Sequence, residues 1–115
     1  MGTFVITKRL NGYYKYEFIS RKGKTILISN DFELRFECEE NIDLLKKSID
    51  IISLTKFKSK NGKLYFKIIL KEKEIAVSRK FSTDTLLQKG IKELKNASES
   101  DILDFSDSKS IFLKL

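Results

Sequence analysis

The dipeptide Asn11-Gly12 recurs 50 positions later as Asn61-Gly62, each copy set among basic, β-branched and aromatic residues. Asn-Gly between alternating apolar residues signals a β-hairpin, since a two-residue type I′ turn needs φ > 0 at both central positions. Its duplication marks an internal repeat, which constrains the fold more than composition does. Residues 4–18 lie over 54–68 at that spacing. Beyond a turn the register tightens by one: Ser29 matches Ser78, Phe32 matches Phe81, Ile42 matches Ile91 and Leu45 matches Leu94, each 49 apart. The missing residue falls where Arg21-Lys22-Gly23-Lys24 faces Lys71-Glu72-Lys73-Glu74, and a surface turn tolerates such a deletion.

Each copy reads as three strands and a helix. Phe4 and Ile6 alternate with Val5, Thr7 and Arg9; the return strand sets Tyr14, Tyr16 and Phe18 on a core face and Tyr13, Lys15, Glu17 and Ile19 opposite. Residues 25–29 form a short third strand with Ile26 and Ile28 on one face. Asn30 or Asp31 is the expected helix cap. Leu34, Cys38, Ile42, Leu45 and Ile49 then recur at helical spacing as one apolar stripe. In the second copy residues 52–58 and 64–70 make the hairpin, Leu64, Phe66, Ile68 and Leu70 supply its core face, and Ile75 and Val77 mark the third strand. Ser82 or Thr83 caps a helix that opens with Asp84 and buries Leu87, Ile91 and Leu94. Gly90 inside that helix costs about 1 kcal/mol relative to alanine, so close packing against another element is expected there.

The reading is therefore α+β: a tandem duplication of a β-β-β-α unit, with antiparallel meanders and helices packed across the two halves. Residues 1–115 form one domain, with repeat one at 3–50, repeat two at 51–97 and an extension at 98–115 that packs on the core. Halves of this size are marginal alone, so they share a core in a monomer with pseudo-twofold symmetry. The apolar end at residues 111–115 (IFLKL) is expected to add a strand or pack on the core, the alternative being an exposed partner-binding peptide. No apolar run approaches the roughly 18 residues of a membrane span, and no secretory stretch follows the start, so a cytoplasmic protein without a membrane partner is expected. The single cysteine, Cys38, reads as a buried thiol.

The run of Asn11-Gly12, alternating aromatics, Gly23, Ile26, Ser29, Phe32 and Cys38-Glu39-Glu40-Asn41-Ile42 resembles the YegP-like family of small uncharacterised bacterial proteins. The second copy resembles it through Asn61-Gly62-Lys63-Leu64-Tyr65-Phe66, Ser78, Phe81 and Gly90-Ile91. The match spans roughly residues 3–97. The resemblance implies a tandem pair of three-strand, one-helix units with helices packing across them, and it implies no catalytic residues. Residues 38–42 lack the glycine usual before the isoleucine, the 71–74 turn has none, and the extension from residue 100 is unusual for the family.

Histidine is absent, which excludes Ser-His-Asp and Cys-His catalysis and, with one cysteine, makes zinc a poor fit. No glycine-rich loop can cradle a phosphate. Glu33, Glu37 and Glu40 share a side of the first helix and are the remaining candidates for acid–base or cation chemistry, but a solvated helix face is the preferred account of them, since Asp43 with Lys47 forms an ordinary i,i+4 pair nearby. A non-enzymatic protein with no cofactor is expected.

Net charge is +7 and unevenly spread: +5 over residues 1–30, −4 over 31–50, +7 over 51–80 and −1 over 81–115. The basic charge lies on the hairpins. A protein-interaction module is the preferred function, because Ile19, Tyr65 and Ile69 make the non-core sheet face apolar for a solvated surface and the chain end is apolar too. The alternative is weakly specific nucleic-acid binding, with Lys56, Lys58, Lys60, Lys63 and Lys67 following phosphates and Tyr13 and Tyr65 stacking on bases. Against it, edge strands carry lysine to deter aggregation, and arginine is scarce. A small-ligand site between the halves is a third, weaker reading.

Overall fold

Hairpin follows hairpin in the computed structural model, which describes residues 2–106. The elements are β1 (Thr3–Lys8), β2 (Tyr14–Ile19), β3 (Thr25–Ser29), α1 (Arg35–Lys47), β4 (Ser53–Lys58), β5 (Leu64–Leu70), β6 (Lys73–Ser78), α2 (Asp84–Lys95), a 3-10 turn (Ala97–Glu99) and β7 (Ile102–Asp104). The strands form one mixed seven-stranded sheet in the order β4-β5-β6-β3-β2-β1-β7, antiparallel throughout except where β7 lies parallel to β1.

The two meanders meet at the sheet centre, where β3 pairs with β6 in the register Leu27↔Ser78, Ile28↔Val77 and Ser29↔Ala76. Ile28 and Val77 are matching positions of the two halves, so the register reads the same from either side of that pair. The same hydrogen bonds recur in each half. The Tyr16 amide donates to Ser29 Oγ (2.9 Å), whose hydroxyl donates to the Asn30 carbonyl (2.8 Å); Phe66, Ser78 and Arg79 repeat this at 2.9 and 2.7 Å. Tyr14 bridges Phe32 as Leu64 bridges Phe81, and a bulge follows Phe18 as another follows Ile68. The buried serines thus satisfy strand amides that would otherwise be orphaned.

The bulges correct one expected face assignment. Ile26 does not share a face with Ile28: it is buried together with Leu27, while Ile28 lies on the opposite, half-buried side, and the second half likewise buries Ile75 and Ala76 but not Val77. The extra residue of a bulge resets the alternation.

Asn11-Gly12 and Asn61-Gly62 do define the hairpin turns, but not as two-residue type I′ turns. Gly12 and Gly62 alone adopt positive φ (90° and 81°), each closing a three-residue loop in which its amide donates to the carbonyl of Arg9 or Ser59. Asn11 instead accepts the Tyr13 amide on Oδ1 (3.0 Å). The Ser20 to Lys24 turn is built the same way around Gly23 (φ 85°). The two-residue turn with two left-handed residues occurs where no glycine or asparagine stands, at Lys71 (φ 52°) and Glu72 (φ 67°). A three-residue loop in one half and a two-residue loop in the other account for the change of spacing from 50 to 49.

Both helices cover one face of the sheet. α1 buries Cys38, Ile42 and Leu45, and α2 buries Leu87, Gly90, Ile91 and Leu94, against Phe4, Ile6, Tyr16, Phe18, Phe66 and Ile68. Burial of each large side chain contributes about 1.5–3 kcal/mol. Each helix lies mainly over its own half, α1 on β1 and β2, α2 on β5. The crossing between halves comes through particular contacts: a Cβ on Gly90 would stand 2.9 Å from Phe81 Cζ and 3.7 Å from Ile26 of β3, and Glu93 Oε2 accepts the Arg21 amide (3.1 Å). Gly90 is therefore the close approach expected from its place in a helix.

Thr83 caps α2, its Oγ1 accepting the Leu86 amide (3.2 Å). For α1 neither Asn30 nor Asp31 is the cap. Leu34 holds that position, 51% exposed rather than in the core stripe, and Glu37 Oε1 accepts its amide (2.9 Å). Asn30 is engaged elsewhere, Nδ2 donating to the Glu74 carbonyl (2.9 Å), and Asp31 pairs with Arg9 (3.4 Å).

Ala97 is buried, Lys46 Nζ donates to the Ser100 carbonyl (2.5 Å), and β7 adds a strand that the acidic sequence around Ile102 and Leu103 did not announce. The expectation for residues 111–115 lies outside the described residues. Among the described residues no helix is long and apolar enough to cross a membrane.

Candidate binding surfaces

Strand alternation leaves the other face of the sheet without helices. A row crosses it from Val5 through Glu17, Ile28, Val77 and Lys67 to Thr55. Its charges find partners within the face. Lys15 lies 3.7 Å from Glu17, Thr25 Oγ1 donates to Glu17 (3.1 Å), and Lys67 pairs with Glu74 (2.9 Å), a bond that raises the lysine's affinity for its proton. Tyr65 stacks on Phe57 at 5.3 Å, and Lys67 Nζ stands 5.0 Å from the Phe57 ring. The row is a mixed, self-paired surface.

The six residues proposed for nucleic-acid contact are divided. Tyr65 and Lys67 lie on the helix-free face. Lys56 and Lys58, opposite Phe66 and Leu64, lie on the helix side of β4, where Lys56 pairs with Asp84 (3.7 Å). Lys60 and Lys63 are exposed on the hairpin loop. No single track passes through all six, because neighbours of opposite parity on a strand point to opposite faces. Tyr13 is 44% exposed at the other hairpin.

The two edges of the sheet differ. On β1, the Phe4 amide donates to the Asp101 carbonyl (2.9 Å) and the Phe105 amide to the Ile6 carbonyl (2.8 Å), so β7 covers that edge. Asp104 anchors the strand: its Oδ2 accepts from Arg35 Nη1 (2.8 Å) and its Oδ1 from the Ser106 amide (2.8 Å). Partial burial works to raise this carboxyl's pKa, and the bonds from Ser106 and Arg35 overcome it, holding the group below its usual range. β4 carries no neighbour on its outer edge among the described residues. Its register matches that of β1, Leu54↔Ile68 against Phe4↔Phe18, so the Leu54 amide and Lys56 carbonyl point outward.

A cavity of about 360 Å³ opens between the 20–24 turn and α2. Arg21, Lys22, Lys24, Arg79 and Lys89 line it with one acid, Glu93, above Ile26, Phe81 and Gly90. Arg79 lies over the Phe81 ring at 4.4 Å, and its buried Nε has no hydrogen-bond partner.

The acids of α1 form no comparable site: no group of acidic or cysteine residues among the described ones is placed to hold a metal ion. Cys38 and Tyr16 are core groups. Burial, with nearby acids, pushes the Cys38 thiol up to about 11. Burial, then Cys38, raises the Tyr16 phenol further above its ordinary value, and the Tyr16 hydroxyl donates to Asn41 Oδ1 (2.5 Å).

Against solved structures, the chain superposes on a UPF0339 protein of Shewanella oneidensis with a TM-score of 0.82, at 22% identity, over 91% of this chain and 92% of that one. The fold is shared. It also matches the yegP protein of E. coli, of unknown function, with a TM-score of 0.78 at 22% identity, over 92% and 94% of the two chains. No protein-family model and no curated protein matches the sequence.

The cavity was missed in the sequence because its residues come from a turn in one half and a helix in the other. A signal was present: at a spacing of 49, Arg79 faces Asn30, Lys89 faces Glu40 and Gly90 faces Asn41, departures that flank the matching pairs Ser29 with Ser78, Phe32 with Phe81 and Ile42 with Ile91.

Proposed function

We propose that this chain is a YegP-like protein made by tandem duplication of a β-β-β-α unit, a monomeric, cytoplasmic, non-enzymatic module that takes up an extended acidic segment of a protein partner along β4. The duplication is supported by the serine hydrogen bonds, bulges and bridges that recur at matching positions. The binding role rests on one observation: one edge of the sheet is covered by an acidic strand of the chain itself, and the equivalent edge, on β4, carries no neighbour among the described residues. Strand addition satisfies the free backbone groups of such an edge and gains specificity from alternate side chains. Lys56, Lys58 and Lys60 on or beside β4 favour an acidic strand there, whereas the β4 edges of two copies would bring lysines together.

The test uses a capped peptide of residues 100–106, the chain's own edge-covering sequence, titrated into the isotope-labelled protein. Amide shifts at Leu54, Lys56 and Lys58, weakened by Lys58→Glu, are expected. Shifts confined to β1, or none at millimolar peptide, refute the reading. Nucleic-acid binding is not carried by the structure's division of the lysines between two faces and a loop.

A further inference from the structure

We propose that the cavity between the 20–24 turn and α2 is a binding site for a small organic phosphate, with the phosphate held by Arg79, Lys24 and Lys89.

The two halves differ at residues that line the cavity. In the first half the position matching Gly90 is Asn41, whose side chain reaches the Tyr16 hydroxyl. The position matching Arg79 is Asn30, whose side-chain amide is tied to the Glu74 carbonyl. The positions matching Lys89 and Leu86 are Glu40 and Glu37. The opposing turn there is the two-residue Lys71-Glu72 loop, where the cavity has the longer loop around Gly23. An equivalent site in the other half would thus carry Glu40 in place of Lys89, neutral Asn30 in place of Arg79 and a side chain in place of Gly90.

The electrostatics are one-sided. Five cationic side chains face one carboxylate, and Glu93 accepts the Arg21 amide, so it is committed to the wall. None of the five forms an ion pair with a described residue. Like charges gathered in a concavity repel one another and raise the local concentration of anions. The surplus of positive charge favours a dianion over a single carboxylate, and a planar guanidinium with an unused N–H suits phosphate oxygens. Arg79 is restrained by stacking on Phe81, and its guanidinium donates to no described residue, which leaves it free to take an acceptor in the cavity. A volume of about 360 Å³ exceeds the need of the anion alone and lies in the range of pockets for small organic ligands. Ile26 and Leu86 supply apolar wall for the rest of the molecule.

The experiment titrates isotope-labelled protein with AMP, ribose 5-phosphate, inorganic phosphate, adenosine and a short single-stranded oligonucleotide that lacks terminal phosphates. The monoesters are expected to shift the amides of Arg21, Lys24, Lys89 and Gly90 saturably, and adenosine is expected to leave them unmoved. Exposed Lys89→Glu, which copies the other half, should weaken binding at least tenfold with the spectrum otherwise retained, and Arg79→Gln should do the same. Three results overturn the proposal: no saturable shifts with any phosphate at 10 mM, equal shifts at Lys58, Lys60 and Lys63, or binding of the oligonucleotide at these amides with none of the monoesters.

Discussion

The two halves of the sheet reach one geometry by different means. In both, a buried serine takes up a strand amide, an aromatic bridges into the second strand and a bulge follows the same core residue. Around this frame the halves diverge: Asn41 against Gly90, the Gly23 loop against Lys71-Glu72, the β7-covered edge against one that carries no neighbour among the described residues. What is common holds backbone groups that have no other partner. What differs lies at the helix–turn junction and the outer edges, where there is room for a ligand or a strand.

Gly90→Ala should break the comparison most sharply. Its Cβ would stand 2.9 Å from Phe81, itself stacked on Phe66, so the site cannot absorb the methyl as the asparagine position does. Overpacking of this kind should lower stability by about 2 kcal/mol, net of the helix propensity gained, read as a shift in urea midpoint at constant slope. Ser29→Ala and Ser78→Ala should next cost about 2 kcal/mol each, since each strands a buried amide. Equal losses sharpen the likeness of the halves, and a loss in one alone breaks it. Glu72→Gly acts in the other direction. Relief of a left-handed residue should stabilise by about 1 kcal/mol, while Gly23→Ala, which forces that conformation on a side chain with open space around it, should cost about as much.

The smallest effect concerns the covered edge. Asp104 titrates lower in the folded protein than in the unfolded chain. Its contribution to β7 is therefore present above the unfolded carboxylate range and disappears as pH falls through the folded pKa. The protection of the Phe105 amide, which donates to the Ile6 carbonyl, should fall in acid before that of the β4–β5 amides once intrinsic exchange is corrected for pH, and Asp104→Asn should abolish the difference in pH dependence.

Much of this frame was legible in the sequence, because hairpins and amphipathic helices are local patterns. Gly12, Gly62, the Leu87-Ile91-Leu94 stripe and the Thr83 cap are each written within a few residues of where they act. The faces of Ile26 and Ile28 were not, since one bulge residue reverses an alternation that the sequence shows as regular. Nor was β7, whose few residues carry acids and pair with a strand nearly a hundred positions away. The basic cavity falls in the same class: Arg21 and Glu93 are adjacent only after two meanders have met.

That meeting, at Ile28 and Val77, bears on how the chain folds. Pairs within each meander close short loops and can form early, whereas the β3–β6 seam joins residues 49 positions apart. Closing a longer loop costs more chain entropy before any contact repays it. The seam should accordingly form after the meanders: truncating Ile28 or Val77 to alanine should speed unfolding and leave the refolding rate nearly unchanged, whereas truncations in the β1–β2 hairpin slow refolding. A chain so arranged assembles two sheets before it owns one.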